Sequence, residues 1–159
     1  MVFNGKAISN NIILRLAVKE DCKCVYEWRN HPGIRKDFFN PSPISFKDHE
    51  LWFTNALNSE SIELLIGMDK DDPVGSLRYD IHGDKAEVSV YVKPGFHGKG
   101  IGTEILMKGN AWLKENMPET KNIFAKIISK NTSSVKAFKK AGYIKSHVSY
   151  VFCLKEGDK

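Results

Sequence analysis

The chain has 159 residues, of which 42% are hydrophobic and 27% are charged, with a formal net charge of +5. This length and balance predict a single domain over residues 1–159, with an ordered core at about 11–155. The lysines are too dispersed, and too poorly interleaved with aromatic residues, for a nucleic-acid binder. Three cysteines without a C-x-x-C pair and five scattered histidines indicate no metal site and a reducing, cytoplasmic location. With no run of about 20 apolar residues and no signal-like start, membrane insertion is not expected.

The hydrophobic pattern predicts strands and helices in the order β-α-α-β-β-β-α-β-α-β. The expected strands are residues 11–17, 61–68, 74–81, 85–93, 123–129 and 143–154. The expected helices are residues 20–30, residues 45–57, a helix that begins at Ile101 and has a buried stripe to Leu113, and residues 131–141. Ser45 and Asn131 are expected to cap the second and fourth helices, and Gly142 to end the fourth. Residues 31–44, with three prolines, are expected to be a loop. The order is typical of an α/β (α+β) domain with a mixed, mostly antiparallel sheet of about six to seven strands and about four helices.

The most informative segment is the turn ahead of the third predicted helix. Gly98, Gly100 and Gly102 crowd this turn. Glycines before a helix leave backbone N–H groups uncovered, and those groups with the helix dipole favour a phosphate. The alternative is a tight turn that needs glycine only for its backbone freedom. A Walker loop would need glycine at Lys93, and a dinucleotide-binding fingerprint would need glycine at Thr103, so neither pattern fits.

The turn resembles the acyl-CoA turn of the GNAT superfamily of N-acetyltransferases. In that motif Arg or Gln, two residues, Gly, one residue and Gly or Ala precede a helix; here His97 takes the Arg or Gln place and Gly100 and Gly102 follow. The element order also matches, over most of the chain. The resemblance implies acetyl-CoA as co-substrate and no metal. The implied cofactor-binding residues are Val90, Tyr91, Val92, His97, Gly98, Lys99, Gly100, Ile101, Gly102 and Thr103, with a bulge expected near 90–92.

A second motif resembles the family's Asn-x-x-Ser/Ala-x-x-x-Tyr pattern. Asn131, Ser134 and Phe138 fill it, and with Lys140 they are expected to contact the CoA arm. Phenylalanine replaces the tyrosine that often reprotonates the thiolate in relatives. Tyr143, Tyr91 or solvent is therefore expected to supply that proton, unless no acid is needed.

Glu87 is the candidate general base, directly or through water, because it precedes His97 by the spacing seen in relatives. Strand alternation places Glu87, Ser89 and Tyr91 on one face, and Ser89 is a further catalytic candidate. The alternative reading is an exposed glutamate on a half-solvated strand.

The N-terminal third contains the residues that indicate the acceptor substrate. Its pattern consists of Trp28, Arg29 and Asn30, followed by Arg35, Phe39, Ile44, His49, Trp52 and Phe53. This pattern resembles that of acetyltransferases of pseudaminic-acid biosynthesis, which implies direct attack by a nucleotide-linked amino sugar in a ternary complex. The RimJ/RimL-like group, which acetylates protein N-termini, shares the WRN start. A small-amine acetyltransferase and a non-catalytic acyl-CoA-binding module stay open, as do a monomer and a homodimer paired near Tyr150. The expected substrate-binding residues are Arg29, Asn30, Arg35, Phe39, His49, Trp52 and Arg78.

Overall fold

The computed structural model describes residues 11–146 and places them in a five-stranded sheet with helices on both faces. The strands are β1 (Ile13–Leu16), β2 (Ile62–Asp69), β3 (Asp72–His82), β4 (Lys85–Val92) and β5 (Asn122–Phe124). The helices are α1 (Cys22–Asn30), α2 (Pro32–Arg35), α3 (Phe46–Leu57), α4 (Ile101–Asn116) and α5 (Thr132–Lys140).

The strands lie in the order β1-β2-β3-β4-β5, and only the β4–β5 pair is parallel. The predicted class, a mixed and mostly antiparallel sheet in one α/β domain, is confirmed. The register of β3 and β4 is continuous from Gly75 opposite Val92 to His82 opposite Lys85. The irregularity in the sheet lies in β2, between Gly67 and Met68, and not near residues 90–92 where a bulge was expected.

Alternation along β4 sends its side chains to two different helical layers. Val88 and Val92 are buried under α4 and α5, in a core shared with Leu77 of β3. Tyr91 packs on the opposite layer, which α1 and α3 form. Gly109 of α4 allows the close approach on the first face, because a Cβ there would lie 2.1 Å from Leu77 Cδ2.

Local capping rules set the ends of two helices as predicted. Ser45 Oγ accepts a hydrogen bond from Asp48 N at the start of α3. Asn131 accepts one from Ser134 N at the start of α5, and Gly142 ends that region with a φ of 93°. Each cap satisfies a backbone group that the helix itself leaves unpaired.

Three expectations about element bounds differ from the structure. The predicted loop 31–44 contains α2, because Pro32 at the first helical position has no N–H to lose there and His31 Nδ1 caps Gly33 N. The predicted strand 123–129 ends at Phe124, where the chain parts from β4. Tyr143 to Ser146 are not in a strand, and the rest of the last predicted strand, including Tyr150, lies outside the described residues.

Candidate active site

The glycine turn presents the uncovered start of α4. Gly98 and Gly100 have φ values of 77° and 80°, the left-handed region that glycine adopts without strain. Gly100 is the N-cap residue and provides no side-chain hydrogen bond. The first intrahelical donor is Glu104 N, which bonds to Gly100 O, so the N–H groups of residues 101–103 have no acceptor within the helix. Together with the helix dipole, they form a site suited to a phosphate group.

His97 and Lys99 are exposed beside this helix start. Partial burial, together with the charge of nearby His31, lowers the pKa of His97. The neutral ring can therefore serve as a hydrogen-bond donor without adding a full charge. Lys99 adds a cation, which lies 5.2 Å from the ring of Phe96.

An opening in the sheet begins halfway along β4. The β4–β5 ladder ends with Glu87 opposite Phe124, and no described strand pairs with that side of β4 beyond this point. Lys93 N donates a hydrogen bond to Val74 O in β3. Because main-chain groups point to alternate sides along a strand, those of Val90 and Val92 point away from β3 and into the opening. The main chain of Tyr91 faces β3, so only its side chain can contribute. Divergence of the two strands thus frees the N–H groups that a bulge was expected to free.

Glu87 lies at the point where the strands separate. Its side chain is 35% exposed, and its Oε2 accepts a hydrogen bond from Lys126 Nζ at 2.7 Å. Ser89 follows on the same face, about 7 Å further along the strand. Lys126 had not been recognised from the sequence, because nothing local links it to a strand 39 residues away.

A cavity of about 220 Å³ lies on the Ser89 face, between the sheet, α1, α3 and the segment after α2. Six of the predicted residues line it: Arg29, His49, Trp52, Arg78, Ser89 and Tyr91. Four further lining residues were not among the expected binding residues: Phe38, Ile44, Leu64 and Ser76. Leu64 and Ser76 lie opposite Arg78 and Tyr91 in the sheet, so correct strand pairing would have identified them.

Arg29 is the most distinctive residue of the cavity. Its guanidinium carbon lies 4.5 Å from the centre of the Phe38 ring, and Nη2 donates to Asn40 O at 3.3 Å. Nη1 is buried and has no hydrogen-bond partner. Burial, together with the charge of Arg35, lowers the pKa of Arg29. A buried donor without an acceptor is costly, so this nitrogen is suited to an anionic ligand.

Arg78 provides a second cation in the cavity. Its Nε donates to Asp80 at 2.9 Å, and its guanidinium carbon lies 5.5 Å from the Trp52 ring. Ser89 is its cross-strand neighbour in β4. The positive charge of this wall is therefore partly neutralised and held in place.

Three of the predicted substrate-binding residues are not among those lining the cavity. Asn30 clamps the main chain of Ile44 through two hydrogen bonds of 2.8 and 3.0 Å. Arg35 donates from Nη1 to Pro41 O at 2.8 Å, while its buried Nε has no partner. The side chain of Phe39 is 70% exposed, and the neighbouring Phe38 takes the position expected for it.

His49 is buried and belongs to the packing of α3 on α1. Its Nε2 lies 3.2 Å from Cys22 O, and its ring contacts those of Tyr26 and Trp52. Burial is the main reason that its pKa is lowered. His49 therefore forms a neutral part of the cavity wall.

The two candidate proton donors lie in different places. Burial raises the pKa of Tyr91, which lies opposite Ser76 in the cavity wall. Tyr143 OH donates to Asn110 Oδ1 at 2.7 Å, and burial raises its pKa to about 12. Tyr143 is not among the cavity-lining residues, and its ring packs 4.9 Å from that of Phe138.

Phe138 is buried in the core with α4. Asn131 and Ser134, the other members of the second motif, meet at the start of α5, where the Asn131 side chain caps Ser134 N. Lys140 is exposed at the end of that helix. The motif therefore presents its polar members at one helix end and its aromatic member to the core.

Residues 11–144 match the family model of the acetyltransferase (GNAT) domain. The chain belongs to this family and is an acetyl-CoA-dependent N-acetyltransferase, with acetyl-CoA as its co-substrate. Within the described residues, no group of three or more His, Cys, Asp or Glu side chains could hold a metal ion. No helix between residues 11 and 146 is long and apolar enough to cross a membrane.

Solved structures share the fold at low sequence identity. The aminoglycoside acetyltransferase AAC(6')-Ib, in complex with paromomycin and acetyl-CoA, is 21% identical with a TM-score of 0.75, and covers 86% of this chain and 85% of its own. Spermidine N-acetyltransferase from Vibrio cholerae, with CoA and spermine, is 15% identical with a TM-score of 0.78, at 87% and 84% coverage. A domain from Methanocaldococcus jannaschii is 25% identical with a TM-score of 0.76, at 86% and 90% coverage. By sequence, no curated protein matches the chain.

Proposed function

We propose that the enzyme acetylates the primary amine of a nucleotide-linked amino sugar. The observation that carries this proposal is Arg29, a cavity-lining residue whose buried Nη1 has no hydrogen-bond partner. A phosphate oxygen of the acceptor substrate would supply the missing partner in the charge-assisted geometry that arginine favours.

The charge of the cavity supports an anionic acceptor over a polyamine. Arg29 and Arg78 line it, and none of the described lining residues is acidic. Asp80 lies next to Arg78 but is already paired with it. A polycation such as spermine would face two guanidinium groups there, and like charges brought together disfavour a partner.

The aromatic walls suit the flat part of such a substrate. Trp52, Phe38 and Tyr91 surround the two arginines, and Phe38 lies edge-on to Tyr91 at 6.0 Å between ring centres. Aromatic rings of this kind stack on a nucleobase or on the apolar face of a sugar. A nucleotide-linked sugar combines that surface with a diphosphate.

Acetyl-CoA would enter from the side of the diverging strands. Its diphosphate would lie against the N–H groups of residues 98–103, with His97 and Lys99 beside it, and its arm would extend between Val90 and Val92 and the start of α5. Asn131, Ser134 and Lys140 would contact the arm from that helix. Main-chain N–H groups in the opening would then face the thioester carbonyl, where one such donor is worth about 3 kcal/mol in the transition state.

The chemical step in this proposal is direct attack in a ternary complex. Glu87 takes a proton from the acceptor ammonium, directly or through water, and the neutral amine attacks the thioester carbon. The C–N bond forms, the nitrogen loses its second proton to solvent, the oxyanion collapses, and the C–S bond breaks to release the CoA thiolate. Ser89 would orient the acceptor, and Tyr91, Tyr143 or solvent would return a proton to sulfur.

The test measures CoA thiol release with acetyl-CoA and one acceptor at a time: UDP-linked amino sugars, the free amino sugars, spermidine and N-terminal peptides. The proposal expects turnover with the nucleotide-linked sugars and at least tenfold lower kcat/KM, about 1.4 kcal/mol, for the free sugars. Turnover confined to peptides would favour the protein N-terminal alternative, and turnover confined to spermidine would overturn an anionic acceptor.

Two variants test whether the cavity is responsible for the preference among these acceptors. Arg29→Gln should raise KM for the nucleotide-linked sugar and change kcat/KM for the free sugar little. Arg15→Gln is the matched control, because Arg15 pairs with Asp21 outside the cavity. Equal losses on both substrates in Arg29→Gln would contradict a role in anion recognition.

A further inference from the structure

Lys126 holds its own amine at the place where an acceptor amine must arrive. Its Nζ lies 2.7 Å from Glu87 Oε2, at the mouth of the opening between β4 and the chain after β5. We propose that Lys126 is a self-acetylation site, at which the enzyme modifies its own side chain when acetyl-CoA is bound and no acceptor is present. This inference rests on the proposed role of the opening as the acetyl-CoA site and of Glu87 as the base.

The geometry supports attack from within the chain. Glu87 and Phe124 form the last β4–β5 pair, and Lys126 follows two residues later on the opposite wall of the opening. Its side chain is 69% exposed, so it is free to turn toward a bound thioester. Holding amine and base within one hydrogen bond removes most of the entropic cost of bringing them together.

The step is the ordinary transfer with an internal nucleophile. Glu87 removes a proton from the Lys126 ammonium, and the neutral amine attacks the acetyl carbonyl of acetyl-CoA. A C–N bond forms, the C–S bond breaks, and the nitrogen loses its second proton to solvent, which in turn protonates the departing CoA thiolate; the products are N-acetyl-lysine and CoA. Acetylation removes the positive charge of Lys126 and with it the ion pair to Glu87.

Lys121 is a matched internal control. It lies before β5 on the same chain segment, its side chain is 72% exposed, and its Nζ lies 3.9 Å from a carboxylate oxygen of Asp84. Asp84 is in the turn between β3 and β4, away from the opening. Random chemical acetylation by acetyl-CoA would therefore modify Lys121 and Lys126 at similar rates.

The experiment incubates the full chain with acetyl-CoA alone and follows each lysine by peptide mass spectrometry. Lys126 should be acetylated at least tenfold faster than Lys121, with a first-order rate constant that does not depend on protein concentration. Glu87→Gln should remove that preference, while folding is checked by circular dichroism. Lys126→Arg should abolish the fast acetylation and leave Lys121 unchanged.

Equal rates at the two lysines, or a preference that survives Glu87→Gln, would overturn the inference. A rate constant that grows with protein concentration would overturn an intramolecular reaction. Failure is distinguishable from failure of the proposed function: turnover of external amines with Lys126 unmodified overturns only self-acetylation, whereas fast Lys126 acetylation with no sugar-nucleotide turnover overturns only the acceptor assignment.

Discussion

Glu87 lies opposite Phe124 in the last residue pair that joins β4 to β5. Pairing stops there, so the candidate base stands at the edge of the opening while Val90 and Val92 present free main-chain groups deeper in it. The chain separates from β4 after Phe124, and this separation creates the opening proposed for the thioester and places Glu87 at its edge.

Glu87→Gln is expected to lower kcat about 10²-fold at neutral pH, because glutamine keeps the shape of the side chain but cannot accept the proton. Steady-state kinetics from pH 6 to 9 measure this, with CoA affinity as the control that should not change. A loss of less than about threefold across the whole range would remove Glu87 from the role of base.

Gly100→Ala is expected to weaken CoA binding on the order of tenfold, because a side chain at φ 80° strains the turn that sets up the start of α4. Gly95→Ala is the matched control: its φ is 84°, and like Gly100 it has nothing within 4 Å of an added Cβ. Both variants should lose about 1–2 kcal/mol of stability. Calorimetry should show weaker CoA binding in Gly100→Ala than in Gly95→Ala. Equal CoA affinities of the two variants would contradict a phosphate site at Gly100.

Phe38→Ala and Phe39→Ala test which of two adjacent aromatic residues contacts the acceptor. Phe38 lines the cavity under Arg29, whereas the side chain of Phe39 is 70% exposed. KM for the acceptor should rise about tenfold in Phe38→Ala, since stacking on one ring is worth about 1–3 kcal/mol, and change little in Phe39→Ala. The reverse order would mean that the segment after α2 binds substrate in a different arrangement.

His49 should make the enzyme less stable in mild acid. Burial lowers its pKa in the folded state, so between that value and about 6.5 the unfolded chain binds a proton that the folded chain does not. Stability from this group is complete above about pH 6.5 and declines as pH falls through this window, by at most about 1.4 kcal/mol per pH unit.

Urea unfolding from pH 5 to 7.5 measures that slope. His49→Gln should flatten it, because glutamine can still donate to Cys22 O but does not titrate. His82→Gln, at an exposed position at the end of β3, is the control. An unchanged slope in His49→Gln would assign the acid sensitivity to other groups.

Local rules explain why the sequence predicted most of the fold. Strand alternation, the Ser45 and Asn131 caps and the left-handed Gly142 each depend on a few neighbouring residues, and each is confirmed. Gly109 follows a local rule as well, since a glycine inside a helix costs stability unless it permits a close contact, here with Leu77 of the sheet. The same reasoning found the glycine turn that led to the family.

Tertiary packing decided the composition of the site. Phe38 and Phe39 are equivalent by sequence, and only the course of the chain after α2 turns one toward Arg29 and the other to solvent. Lys126 meets Glu87 because β5 separates from β4, which no local pattern records.

The sequence by itself therefore determined the order of the described elements apart from α2, together with the glycine turn and the family, because these follow from backbone preference and residue spacing. Only the tertiary structure decided where β4 and β5 part, which aromatic side chains surround Arg29 and which amine reaches Glu87. Those contacts join residues far apart in the chain, and their energies depend on burial and pairing that exist only once the domain has packed.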